Sequence, residues 1–351
     1  MTATAVRPRP APAAASSDVR RRSTARATGV AIGLSIALLV VFCVSISVGD
    51  FPIPLTDVVP AILGVGNDQS EFIVRDLRLP RALTGVLVGA SFAVSGAIFQ
   101  SLARNPLASP DIIGIDAGAS AAAVFCIVVL STSAGVTAFG ALGGALVAAL
   151  GIYVLAWKGG VSPYRLVLVG IGMAALLTSI TQYLLTRAEI FEAQRAVVWL
   201  TGSLNGRGWE HVRSIGIADV VLLPLLLALI GPLRALQLGD DSAKGLGVRV
   251  ERSRLLLVLV AVALAALATA AAGPVIFVAF VSAPIARRLT RAPLAVGSAA
   301  LVGALLILLS DLVARRLFAP TELPVGVVTG VVGAPYLLWL LARANRVGRG
   351  G

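Results

Sequence analysis

The sequence predicts an all-α polytopic membrane protein with about ten transmembrane helices, and three observations lead there. Of 351 residues, 58% are hydrophobic and only 13% charged, with mean hydropathy +0.94. One soluble core of ordinary proportions cannot hide that much apolar surface. Several stretches, clearest at 29–48, 86–102 with its flanks and 255–272, meet the need for roughly 18 uncharged residues to cross a hydrocarbon layer of about 30 Å. No water in that layer satisfies backbone groups, so such stretches must be helices. The third observation is the placing of charge. With the N-terminus inside, 20 of the 29 basic residues fall on segments between helices that face the cytoplasm or on the two tails, the bias expected of a membrane protein with both termini cytoplasmic.

The helices are expected at about 29–48, 82–103, 112–131, 136–157, 164–185, 214–233, 254–272, 276–290, 294–313 and 324–342. Residues 1–27 are rich in Pro, Ala and Arg with no hydrophobic period, and read as a disordered basic cytoplasmic tail. The arginines before the first apolar run, with Ser45-Ile46-Ser47 after it, imitate a signal peptide, but an uncleaved first helix is expected. Residues 28–345 form the transmembrane domain and 346–351 a C-terminal tail. The acidic stretch 49–77 (Asp50, Asp57, Asp68, Glu71 and Asp76) reads as an external loop, and 187–213 as a second one with its own helical turn.

Arg78-Leu79-Pro80-Arg81 precedes the second helix. Pro80 suits a first helical turn, and arginines three apart should both project from the outer mouth. Either they snorkel at the interface or they offer a docking patch to an acidic soluble partner. Within that helix Gly85 and Gly89, with Gly96 beyond, permit close helix approach. At its other end Gln100 leads to Arg104-Asn105-Pro106, where proline stops the helix and asparagine caps the turn.

The stretch Leu238-Gly239-Asp240-Asp241-Ser242-Ala243-Lys244-Gly245-Leu246-Gly247 is too polar for lipid. Asp240 or Asp241 can cap a short helix that the glycines end, and two short helices at right angles within 235–251 would make a cytoplasmic knob. Ala272-Gly273-Pro274 breaks the chain before the eighth helix, and breaks inside membranes line cavities. Asp311 and Arg315, four apart, can pair.

Other chemistry finds little support. The basic residues form no patch interleaved with aromatics, so nucleic acid is excluded as a partner. Cys43 and Cys126 lack CxxC spacing and His211 stands alone, so no metal site or Ser/His triad can be assembled. Gly170-Ile171-Gly172 imitates a dinucleotide fingerprint within an apolar helix that follows no strand. A Walker A motif is absent, so the chain does not hydrolyse ATP unaided, and neither catalysis nor a cofactor is expected. Only Asp116 and Asp219 approach the apolar interior, both near helix ends on these boundaries.

Taken together, the segments at 78–81, 95–100, 104–107, 239–248, 272–274 and 322–330 resemble the FecCD type of ABC importer permease, which carries iron-siderophores and cobalamin. The resemblance covers all but the tail, and the strings 94–114 and 239–256 favour a ferric siderophore over cobalamin or haem. It implies a pore of two permease subunits, the same chain or a sister chain, in membrane lipid. It further implies two cytoplasmic ATPase subunits and an external binding protein, anchored as a lipoprotein or free in the periplasm. Arg78, Arg81 and Arg315 match arginines that meet the binding protein. Leu238, Gly239, Asp240, Ala243, Leu246 and Gly247 match the segment that couples to the ATPase, and Gln100, Asn105 and Pro106 match a helix-turn motif. One departure is clear: the family commonly carries Pro-His before Ile-Ala-Arg, whereas here Ser282-Ala283-Pro284 precedes Ile285-Ala286-Arg287. A proton-coupled secondary transporter of a metal chelate is the alternative, and would need buried carboxylates.

Overall fold

The computed structural model describes residues 13–65, 67–158, 160 and 162–347. The described chain is helical throughout: α1 (Ala13–Ser47), α2 (Leu55–Leu63), α3 (Asp68–Phe72), a π-helical turn (Ile73–Arg78), α4 (Leu79–Ala103), α5 (Pro110–Ile113), α6 (Ile115–Val128), α7 (Ala134–Ala156) and α8 (Pro163–Arg187). There follow α9 (Ile190–Leu200), α10 (Trp209–Gln237), α11 (Asp240–Gly245), α12 (Val250–Ala272), α13 (Val278–Thr290), α14 (Val296–Arg316) and α15 (Val325–Val347). Seven of the described helical stretches are long and apolar enough to cross a membrane, and α6 and α15 are shorter apolar helices. With α13 they occupy the ten expected places.

Two stretches near the N-terminus differ from the sequence reading. Helix α1 reaches back to Ala13, so residues 13–27 are helical where a disordered tail was expected. Beyond Pro12 the composition turns to alanine and arginine, which are strong helix formers. Residues 1–12 lie outside the described residues. Stretch 49–77 is folded, not a loop: α2, α3 and the π turn lie over the end of α1, burying Ile46, Ile53, Val58, Ala61 and Val74 with Ala82 and Leu308. The π turn runs into α4 immediately before Pro80. Proline has no N–H to donate and its ring crowds the carbonyl four residues earlier, so a widened turn relieves the helix there.

Helix α4 is the central column, lying against α14, α12, α10 and α13 and buried along most of its length. Its glycines set the spacing. A Cβ on Gly89 would collide with the backbone of Gly303 in α14, and one on Gly96 with the carbonyl of Ala279 in α13. This is the close approach that small residues permit where lipid provides no hydrophobic drive between helices. By contrast α7, α8 and α10 expose large apolar side chains such as Phe139, Leu150, Leu168, Ile180, Val220 and Leu227. The bundle thus has an apolar flank and two polar ends. One end carries Arg78, Arg81 and Arg315 and is called the lip; the other carries α11 and is called the knob.

Candidate functional site

At the lip the arginines do not project, which corrects the expectation from spacing. Arg78 is 9% exposed and donates from Nη1 to the carbonyls of Ile46 at 2.7 Å and Ser47 at 3.0 Å, and from Nη2 to that of Phe51 at 2.5 Å. It staples the end of α1 and the turn after it onto α4. Arg81 pairs with Asp311 at 2.9 Å and with Glu322 at 3.0 Å. Arg315 pairs with the other Asp311 oxygen at 3.1 Å and donates to the Ser45 hydroxyl at 2.7 Å. Asp311, 1% exposed, is therefore a buried carboxylate between two guanidiniums. The Asp311–Arg315 pair was legible from i,i+4 spacing. The Glu322 and Ser45 partners lie 241 and 270 residues away in sequence from the arginines they meet, beyond any local pattern.

At the knob, α4 ends with Arg104 in the left-handed region (φ 49°). The Asn105 side chain accepts from the Leu107 N–H at 2.9 Å, the asparagine turn that Asn105-Pro106 predicts. Gln100, buried one turn earlier, donates to the Phe280 carbonyl at 2.9 Å and accepts from Arg287. Gln100 thereby ties α4 to both ends of α13, a role its place in an apolar run conceals. Gln100, Arg104, Asn105, Gln237 and Arg287 line a recess of about 370 Å³.

The expected pair of short helices is a single one, α11. Gly239 (φ 106°) forms its N-cap, so Asp240 and Asp241 sit in its first turn rather than capping it. Gly247 (φ 80°) follows it, and the Val248 N–H closes on the Ala243 carbonyl at 3.0 Å. These positive φ values suit glycine. Arg254 of α12 grips both Asp240 oxygens at 2.8 Å, while Ala243 is fully buried. Leu238 and Leu246, 66% and 65% exposed, stand on either side of this clamped turn. The knob is rigid and tipped with two leucines.

Between the ends, two carboxylates are buried. Asp116 in the first turn of α6 accepts from the Thr269 hydroxyl at 2.9 Å, and Asp219 from that of Ser91 at 2.8 Å. Asp219 lies well inside α10, not near its end, because α10 begins at Trp209 instead of 214. On the lip side a cavity of about 740 Å³ opens between α9, the loop 201–208, α12 and the start of α15. The loop that lines it is tied to the end of α12, where the Ser203 N–H donates to the Ala272 carbonyl at 2.7 Å, and to the start of α15, where the Gly326 N–H donates to the Gly202 carbonyl at 3.2 Å. Burial lowers the pKa of Arg207 in its wall, and Glu210 partly offsets this.

A bundle of crossing helices, with a broken helix beside a cavity at one end and a stapled knob at the other, defines a multi-pass membrane permease. The chain belongs to the FecCD transport family, whose sequence model matches residues 37–343. It is 42% identical over 301 residues to the ferric enterobactin transport system permease protein FepG of Escherichia coli K12, covering 85% of this chain and 91% of that one. It is 43% identical over 308 residues to the achromobactin transport system permease protein CbrC of Dickeya dadantii, covering 86% and 88%. A solved inward-facing conformation of a metal-chelate type ABC transporter superposes with a TM-score of 0.81 at 27% identity, over 90% of this chain and 99% of that one.

Proposed function

We propose that the chain is the permease subunit of an ABC importer for Fe(III)-siderophore complexes, with its lip outside and both termini in the cytoplasm. The observation that carries this reading is the knob. Two exposed leucines flanking a clamped six-residue helix make an apolar contact for a cleft in an ATPase, which the chain itself lacks. Because Arg254 holds Asp240, and Arg104 of the α4 terminus lies 3.9 Å from the same carboxylate, a push on α11 reaches α12 and α4 together. Helix α4 in turn bears on α13 through Gln100. Closure of two ATPases would thus rock the bundle and exchange outward for inward access.

The partners in this reading are a second permease subunit, two ATPase subunits and an external binding protein that captures the chelate and delivers it. The arginines at the lip serve docking by holding its shape: Arg78 and Arg315 fix the end of α1, and Arg81 fixes Glu322 at the surface where the binding protein would sit. The test is uptake of radiolabelled ferric siderophores by cells lacking this chain, before and after its return, with co-purification of the partners. Uptake that is the same without the chain would overturn the proposal.

A proton-coupled transporter of a metal chelate is the second reading, favoured by the buried carboxylates Asp116 and Asp219. Uptake that survives ATP depletion but stops with a protonophore would select it.

A further inference from the structure

The 740 Å³ cavity at the lip contains cationic chemistry that the fold does not use. Three charged side chains line it: Arg195, Arg207 and Glu322. Glu322 is engaged by Arg81 at 3.0 Å, so its charge is already compensated. Arg207 makes its hydrogen bonds to neutral groups, from Nε to the Ser203 carbonyl at 3.2 Å and with His211 Nε2 3.0 Å from Nη1, while Glu210 acts on it only from a distance. The nearby Glu210 points to solvent and meets the far side of the His211 ring at 3.5 Å. Arg195 is exposed and touches the Thr132 carbonyl at 3.4 Å, while Glu192, one turn away on α9, is taken by the Ser131 hydroxyl. A half-buried guanidinium with no carboxylate in contact can form charge-assisted hydrogen bonds to an anion that reaches it through the space beside it. Here that space is a cavity walled on one side by Trp199 and floored by irregular backbone, the setting in which broken membrane helices bind solutes.

We infer that this cavity receives the negatively charged face of an anionic metal chelate, with Arg207 and Arg195 as its recognition pair, and that neutral chelates gain nothing from it. The inference rests on the permease reading and adds to it the charge class of the cargo. Arg207 supplies a fixed fork, preset by Ser203 and His211, while Arg195 reaches in from the rim of α9. Trp199 reports occupancy, since a bound chelate changes its emission.

The test uses the full-length chain in detergent and two redox-inert probes: a Ga(III) tris-catecholate, which is anionic, and a Ga(III) tris-hydroxamate, which is neutral. Tryptophan emission is titrated with each, and the part of the change lost in Trp199→Phe is the reporter signal. The anionic probe is expected to bind more tightly than the neutral one. Arg207→Gln should weaken it by about tenfold and the Arg195→Gln/Arg207→Gln pair by about a hundredfold, with Arg207→Lys partly restoring it and the neutral probe unmoved. Because Arg207 also braces its loop, Arg195→Gln alone, at an exposed site, gives a reading that does not depend on that brace.

Equal binding of both probes by the native chain, or anionic affinity unchanged in the double variant, would overturn the inference. If cells also take up no ferric chelate through this chain, the permease reading falls with it. If neutral chelates are taken up normally and the arginine variants make no difference, only the charge assignment falls.

Discussion

Replacing Asp311 by asparagine probes whether the lip arginines are braces or free docking groups. The carboxylate is buried and sits 2.9 Å from Arg81 and 3.1 Å from Arg315. Asparagine keeps its shape and one acceptor, but it removes both ionic attractions and turns an amide NH₂ toward one guanidinium. Breaking a buried pair from one side costs about 3–5 kcal/mol. Some is retained, because Arg81 keeps Glu322 and Arg315 keeps Ser45 and the Val48 carbonyl. The expected loss is therefore about 2–3 kcal/mol.

Thermal unfolding of the purified chain, followed by tryptophan emission, should show the midpoint falling by several degrees. Crossing Asp311→Asn with Arg315→Met should give a coupling of about 1–2 kcal/mol, because the two share a partner. The deficit should be the same in low and high salt, since a buried pair is poorly screened. An unchanged midpoint with no coupling would refute the brace, and a deficit that vanishes in salt would show the arginines to be solvent-facing.

Three further outcomes are expected. Gly96→Val should force α4 away from α13, because a Cβ there meets the Ala279 carbonyl; a loss of about 3 kcal/mol or more would show as poor recovery of folded protein from membranes, and normal recovery would contradict the packing. Leu238→Glu with Leu246→Glu, both on exposed positions, should abolish ATPase co-purification while leaving the melting midpoint in place; retained co-purification would remove the coupling assignment. Gln100→Leu removes the tie to Phe280 and Arg287 and should slow uptake at constant amounts of assembled transporter; an unchanged rate would make the tie purely structural.

Much of the candidate site is legible in the sequence, for a local reason. The turn at Asn105-Pro106 and the short helix at 240–245 are fixed by side chains acting on their own backbone, through an asparagine acceptor and glycines at positive φ. What was misread came from distance. Spacing turns Arg78 outward because its acceptors, the carbonyls of Ile46 and Ser47 at the end of the first helix and of Phe51 in a stretch read as a loop, lie 27 to 32 residues away. Asp240 was read as a cap because Arg254, its true partner fourteen residues on, lies across a turn whose geometry spacing does not reveal.

The amino-acid sequence by itself determined that this chain is a multi-pass helical protein, where its ten spans fall, where they break and which family it resembles. Hydropathy, proline and glycine act within a few residues, and the absence of water leaves the backbone no other solution. The tertiary structure alone decided what much of the polar minority does: that Arg81 joins Asp311 beside Arg315, that Gln100 joins α4 to α13, and that Arg207 faces a cavity with no carboxylate in contact. The first two depend on groups that meet across 180 to 230 residues of sequence, and a charge acquires its role only from the partner that folding places beside it.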